Sequence, residues 1–258
     1  MKTLFTLPPE LPNWTGPRVS QSPEGLALAS IPDWLVMVQP EYATSDGLLN
    51  RAAMHKRAPL RNPVSALPSP GLTFPNGQPA FAPGANGGLW INSEDYVDAN
   101  VNVGDFTVFA TLLRTAATAP YIWDPLTSAT VGQRSFSLAI QSTTHLLVVR
   151  QFSGGSTTTA MTGVEVTIDT PHLVLMSYSA ERGLTLRQDG VQRGNSAAGG
   201  AINRPGAIDQ MGSLLNGSST FAVRYGLSGI INRDLTKTAN AAYLAQLEGY
   251  LMDRYDVT

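Results

Sequence analysis

The acidic side chains best placed to act together lie in Ser93-Glu-Asp-Tyr-Val-Asp98, with Asp105 just beyond. Glycoside hydrolysis needs two carboxyl groups facing one sugar across about 5–9.5 Å. On an extended strand, residues of like parity share a face. Glu94 and Asp98 share parity, Asp95 does not, and Tyr96 and Val97 fill the centre, so the stretch does not make a converging Glu-x-Asp-x-x-Glu set. The same acids and Asp105 are of the type that holds Ca²⁺, but they form no dense D-x-D-x-D loop, and a strand edge protected by charge is the simpler reading. His55, His145 and His172 are dispersed, with no pair at metal-ligand spacing, and the last two read as hydrogen-bonded residues at strand starts. Neither G-x-S-x-G nor a P-loop occurs. No catalytic residue and no metal ligand is assigned, Ca²⁺ is the one cofactor these acids could take, and the chain reads as a non-enzyme.

Binding chemistry is better represented. Saccharide recognition uses aromatic platforms beside amides and carboxylates, and Trp90, Trp123, Asp124 and Asn216 are the candidates for it. Each Trp is equally suited to a core or an interface. A second set, suited to docking on another protein, comprises Trp14, Trp34 and Tyr42 with the basic cluster Arg51, Lys56, Arg57 and Arg61. Residues 47–93 contain no acidic side chain, which makes this cluster either a patch for an acidic partner or a solvated helix end.

The elements that must position these residues divide the chain in two. Fourteen of the 18 prolines lie in residues 1–83. Proline removes a ladder donor, so central strands exclude it. Residues 1–83 therefore read as an extended Pro-rich arm outside the sheet core, with one short helix over about 46–57 capped by Asp46 and ended by Ala58-Pro59. Residues 84–258 read as a β-sandwich domain. Strict alternation places Phe136, Leu138 and Ile140 on one face, Val164, Val166 and Ile168 on another, and Phe221, Val223, Tyr225 and Leu227 on a third. Phe106–Leu113, Leu146–Phe152 and Leu173–Tyr178 are more continuously apolar, as central strands are. Asp189-Gly190 predicts a two-residue hairpin. Ala239–Tyr255 carries apolar residues at helical spacing and predicts a C-terminal helix capped by Thr236 or Thr238. The expected fold is all-β: an antiparallel sandwich closed by that helix.

Composition removes several classes of function. A net charge of −2 with 14% charged residues argues against phosphate neutralisation, hence against a nucleic-acid partner. Cysteine is absent, which excludes disulfides and thiolate metal sites. No stretch has the apolar length that spans a bilayer, and the first residues do not read as a secretory signal.

Two stretches carry a resemblance. Thr170-Pro-His-Leu-Val-Leu-Met-Ser-Tyr178 followed by Leu184-Thr-Leu-Arg-Gln-Asp-Gly190, and Leu227-Ser-Gly-Ile-Ile-Asn-Arg-Asp-Leu235 followed by Leu247-Glu-Gly-Tyr-Leu-Met-Asp-Arg-Tyr255, resemble parts of concanavalin A-like lectin/glucanase domains of the laminin-G-like type. The resemblance covers about residues 84–258 and implies a jelly-roll sandwich. Such domains occur in lectins and in tailed-phage virions. The expectation is a virion structural, decoration or fibre protein in an oligomeric assembly. Its arm would dock on capsid or tail subunits while the sandwich is displayed, and the chain would be made in the host cytoplasm. The alternative is a carbohydrate-binding lectin module directed at a host-surface glycan, with a glycoside hydrolase behind it.

Overall fold

The structure is a computed structural model that describes residues 23–44, 47–53, 57–58, 69–82, 89–92, 104–117, 121–126, 136–141, 143–153, 156–196, 208–211 and 222–258. Trp14, Lys56, Arg61, Glu94, Asp98, Asn216 and Phe221 fall outside them. The fold is an all-β sandwich of antiparallel sheets with a C-terminal helix. A helix, α1 (Pro23–Ser30), precedes strands β1 (Trp34–Thr44), β2 (Gly47–Asn50), β3 (Arg57–Ala58), β4 (Ser69–Thr73) and β5 (Pro79–Ala82). Then come β6 (Leu89–Asn92), β7 (Phe106–Arg114), β8 (Tyr121–Leu126), β9 (Phe136–Ile140), β10 (Leu146–Ser153) and β11 (Ser156–Glu165). The chain closes with β12 (Pro171–Ser179), β13 (Gly183–Gln188), β14 (Val191–Asn195), β15 (Ile208–Met211), β16 (Val223–Ile231) and the helix α2 (Ala241–Tyr255).

The larger sheet runs β14-β13-β12-β7-β16-β1-β2-β3, with β5 also paired to β16 and β4 paired to β5. The smaller runs β11-β10-β9-β8-β15-β6. Between them lies a core that includes Val36, Val38, Phe106, Val108, Leu112, Phe136, Leu138, Leu147, Val149, Val174, Met176 and Tyr225. The other face of the larger sheet is covered too. Phe109, Leu113, Leu173, Leu175, Leu227 and Ile231 pack under Leu28 and Ile31 and under Leu247, Leu251 and Tyr255 of α2. Burial on both faces explains why β7 and β12 read as continuous apolar runs rather than alternating ones.

Three expectations are corrected here. The described part of residues 23–82 is not an arm outside the sheet core. β1 pairs with β16 and buries Val36 and Val38, and Phe81 pairs with Tyr225. Proline is tolerated because Pro40 stands where the β1–β2 register slips between Val38 and Ala43, so no regular ladder donor is needed from it. No helix spans 46–57. Gly47–Asn50 is strand, Arg51–Ala53 one 3₁₀ turn and Arg57–Ala58 strand, because pairing with β1 outweighs local helix preference. Neither Thr236 nor Thr238 caps α2. Asn240 holds that place, and its amide donates to the Asp234 carbonyl at 2.6 Å instead of capping.

The segment after β11 departs from its alternating pattern. Val166 is buried, but Val164 and Ile168 are 39% and 43% exposed. The ladder with β10 ends at Glu165, and the chain then crosses the end of the larger sheet as a strap. Three polar side chains of that sheet clasp it. Gln188 Oε1 accepts the Val164 N–H (2.9 Å), and the buried Arg114 donates from Nη1 to the Val166 carbonyl (2.5 Å). His172 Nε2 accepts the Thr167 N–H at 3.1 Å. The His172 Nδ1–H donates to Asp189 (2.8 Å), which leaves the Nε2 lone pair free for that role. The Asp189-Gly190 hairpin forms as expected, both residues having positive φ (52° and 73°).

One bulge joins the two cores. Val223 and Tyr225 point between the sheets, but a register slip between Tyr225 and Ser228 turns Leu227, of the same parity, to the helix side. The Leu227 N–H donates to the Tyr255 hydroxyl at 2.8 Å. A Cβ on Gly226 would lie 2.6 Å from the Tyr255 ring, so glycine is required there. Burial raises the Tyr255 phenol above its ordinary value of 10.0 against a lowering effect of Arg254, and burial raises Tyr225 as well.

These two tyrosines predict opposite outcomes. Tyr255→Phe strands the Leu227 N–H and should cost about 1–3 kcal/mol, read as a lower denaturation midpoint. The Tyr225 hydroxyl is buried and unbonded among the described residues, so Tyr225→Phe should be neutral or raise stability by up to about 1 kcal/mol. Both phenols hold their protons longer folded than unfolded. Their stabilisation is complete below the unfolded value of 10.0 and is lost as pH rises above it. Urea titrations from pH 8 to 11 should show stability falling above 10, less steeply in Tyr225→Phe.

Candidate functional site

The described residues bring an exposed aromatic, two guanidinium groups, an amide and a carboxylate together where β1 leaves its ladder. Residues 39–42 lie in the β1–β2 register slip, so their side chains are freed from cross-strand pairing. Gln39 is buried at 5% exposure, and its Oε1 accepts a hydrogen bond from Arg51 Nη1 at 2.5 Å. That bond holds the Arg51 guanidinium 4.8 Å from the Tyr42 ring centroid, within cation–π range. Tyr42 remains 37% exposed.

Glu41, between Pro40 and Tyr42, makes an ion pair with Arg254 of α2. Arg254 Nη1 donates to the Tyr250 hydroxyl (2.7 Å), and the guanidinium lies 5.4 Å from the Tyr255 ring centroid. Asn76, in the β4–β5 turn, donates to the Arg254 carbonyl at 2.9 Å. The charges are unevenly matched. Arg254 has Glu41, whereas Arg51 has only the neutral Gln39 amide and the Tyr42 ring among the described residues. The patch offers an aromatic face for C–H stacking and fixed N–H donors beside it, which are the elements of polar-ligand recognition.

Of the residues singled out from sequence, Tyr42 and Arg51 meet in this patch. Trp34, at the other end of β1, does not. Its indole N–H donates to the Leu28 carbonyl (3.1 Å), and its ring meets Phe109 edge-on at 5.8 Å, so it anchors the chain to its own sheet. Trp123 is corrected as a sugar platform. It is 1% exposed in the core, with Nε1 donating to the Phe109 carbonyl at 3.1 Å across the sandwich. Trp90 and Asp124 are brought to one level of the smaller sheet, each paired with Gln210; their side chains, like that of Arg57, lie outside the described residues.

Asp105 is committed to Lys237 at 2.8 Å, a bond that raises the Lys237 ammonium above its ordinary value. No group of three or more His, Asp or Glu that could hold a metal occurs among the described residues, and none of their helices is long and apolar enough to cross a membrane. His172 is a hydrogen-bonded strand-start residue, as its position suggested.

Sequence reasoning missed Gln39, Glu41, Tyr250 and Arg254. The i, i+4 pair Tyr250–Arg254 was visible on the helix. The Glu41–Arg254 contact, across 213 positions, was not.

No family model matches the chain, and no curated protein matches it by sequence. Solved structures do match in fold. The botulinum neurotoxin serotype D binding domain aligns with TM-score 0.63 at 10% identity, over 88% of this chain and 53% of its own. The serotype D ligand binding domain in complex with N-acetylneuraminic acid aligns with TM-score 0.62 at 11% identity, over 86% and 52%. Trypanosoma rangeli sialidase aligns with TM-score 0.57 at 13% identity, over 86% and 37%. The chain thus spans about half the neurotoxin domains and a smaller part of the sialidase. At such identity the likeness is one of fold: an all-β sandwich.

The position of Trp123 predicts that Trp123→Ala should destabilise the sandwich by about 3–5 kcal/mol, a loss of packing plus an unpaired Phe109 carbonyl. Chemical denaturation monitored by circular dichroism measures it. A melting curve unchanged from wild type would place the indole outside the core.

Proposed function

We propose that this chain is a lectin-like module that binds a glycan at the Tyr42–Arg51 patch. The observation that carries the reading is the partly exposed Tyr42 ring with a guanidinium held beside it by a buried amide. A sugar ring presents a C–H face to such an aromatic and hydroxyls to the neighbouring donors. The fold supports the reading through its likeness to botulinum neurotoxin binding domains, one of them in complex with N-acetylneuraminic acid. The carboxylate of the patch, Glu41, is ion-paired with Arg254, whereas hydrolysis needs two carboxyls facing one sugar, so the proposed role is binding. Sialidases among the fold neighbours make hydrolysis the alternative to test.

The setting is proposed separately. A tailed-phage virion protein in an oligomeric assembly fits the low charge and the resemblance of the sequence, with capsid or tail subunits as partners. Since β1 belongs to the sandwich, docking by an arm falls to residues 1–22, including Trp14, and to the basic residues Lys56, Arg57 and Arg61. Deleting residues 1–22 should leave a folded sandwich that no longer enters particles, whereas deleting 1–60 removes β1 and should abolish folding. Full incorporation of the 23–258 chain would reject arm docking.

A glycan array with the full chain tests the binding reading. Specific binding that Tyr42→Ala weakens by roughly tenfold or more, with an unchanged melting temperature, is the expected result. Absence of binding to any glycan would overturn the function. Loss in Trp90→Ala but not in Tyr42→Ala would move the site to the smaller sheet.

A further inference from the structure

The charge balance of the patch says which glycans it takes, an inference that rests on the glycan-binding reading. Each cation of the patch can be paired off except one. Glu41 neutralises Arg254, while Arg51 meets only Gln39 and Tyr42 and has no carboxylate among the described residues.

That guanidinium is also preorganised. The Gln39 bond uses one N–H of five, and Gln39 is itself 5% exposed, so Arg51 is held from below by a buried amide and from the side by the Tyr42 ring. Its remaining donors form a fork that matches a carboxylate. Residues 47–93, which include strands β2 to β5, contain no acidic side chain. A neutral sugar would use the Tyr42 ring and leave Arg51 without an anionic partner among the described residues. A sugar carrying a carboxylate answers both.

We propose that the patch recognises an acidic saccharide, its carboxylate paired with the Arg51 guanidinium and its ring stacked on the exposed part of Tyr42. The assignment is to carboxylated sugars as a class, uronates and sialates alike.

The experiment uses the full chain with sialyllactose and a glucuronate-terminated disaccharide against lactose and cellobiose, followed by saturation-transfer NMR and calorimetry. The expected result is binding of an acidic probe only, weakened about tenfold or more in Arg51→Gln and less in Arg51→Lys, which keeps the charge but loses the fork. Affinity should also fall with added salt in the wild type and lose that dependence in Arg51→Gln. Melting curves of both variants confirm that the fold is intact. Equal binding of neutral and acidic probes, unaffected by Arg51→Gln, overturns the acidic assignment and leaves the lectin reading standing. Acidic binding that survives Arg51→Gln overturns the role of Arg51. Binding of none of the four probes overturns the acidic assignment, and with an empty glycan array it overturns the lectin reading as well.

Discussion

A sheet covered on both faces has no polar side to give to water, and most of this molecule follows from that constraint. β7 and β12 are buried along nearly their whole length, with the smaller sheet on one side and two helices on the other. Inward residues are therefore mostly apolar, and most of the polar ones are bonded. Glycine appears where layers approach too closely for a side chain: a Cβ on Gly229 would lie 2.4 Å from the Val36 carbonyl oxygen, and one on Gly226 would meet the Tyr255 ring. The bulge at Gly226 and Leu227 is the hinge between the two cores. It sends Leu227 and, beyond it, Ile231 of β16 to the helix layer and leaves a backbone N–H that the last residue of α2 satisfies. The helix is thus part of the hydrogen bonding of the sheet as well as a cover for it.

Polar chemistry is displaced to the ends and rims, where it closes the structure. At one end, Arg114, His172 and Gln188 substitute for a neighbouring strand by bonding the backbone of the strap at 164–167. At the other, the buried Asp234 carboxylate accepts from Ser179 Oγ (2.8 Å) and from the Thr236 N–H (2.8 Å), and Thr107 bonds both Ser177 and the Arg233 carbonyl. Most buried polar groups are bonded in this way, whereas the hydroxyls of Thr111, Ser137, Thr185 and Tyr225 have no partner among the described residues. Half-buried pairs such as Arg187–Glu248 (2.6 Å) tie the hairpin side of the sheet to α2. The candidate site belongs to the same pattern. It lies where β1 runs past the covered part of the sheet and its ladder slips, so that Gln39 is still buried while Tyr42, three residues on, is in solvent.

The legible part of the fold was the part dictated by local physics. The Asp189-Gly190 hairpin follows from two residues that accept positive φ, and the apolar runs of β7 and β12 report burial on both sides. The last helix was visible in its apolar spacing, though its cap was not, because the Asn240 amide is turned back to the Asp234 carbonyl six residues before it. The strand β1 was hidden by proline density, a local signal that long-range pairing with β16 overrode. Val164 and Ile168 misled for the opposite reason: alternation persists in sequence after the ladder has ended. Of the site, Tyr42 and Arg51 were legible as an aromatic and a cation suited to docking on another protein, and not as saccharide-binding residues. Trp123 could not be told from a platform residue, since indole chemistry suits a core and a surface equally.

The amino-acid sequence by itself determined the class of the molecule. Alternation, turn dipeptides and the helical spacing of residues 239–255 are short-range properties of the chain, and they specify strands, hairpins and one helix wherever those segments fold. Only the tertiary structure decided which strands lie side by side, that β1 is inside the sheet, and that Gln39, Tyr42 and Arg51 stand together with Arg254. Such contacts depend on register and on which face each strand turns to its neighbour. A single bulge or proline changes both without altering the composition from which a sequence is read.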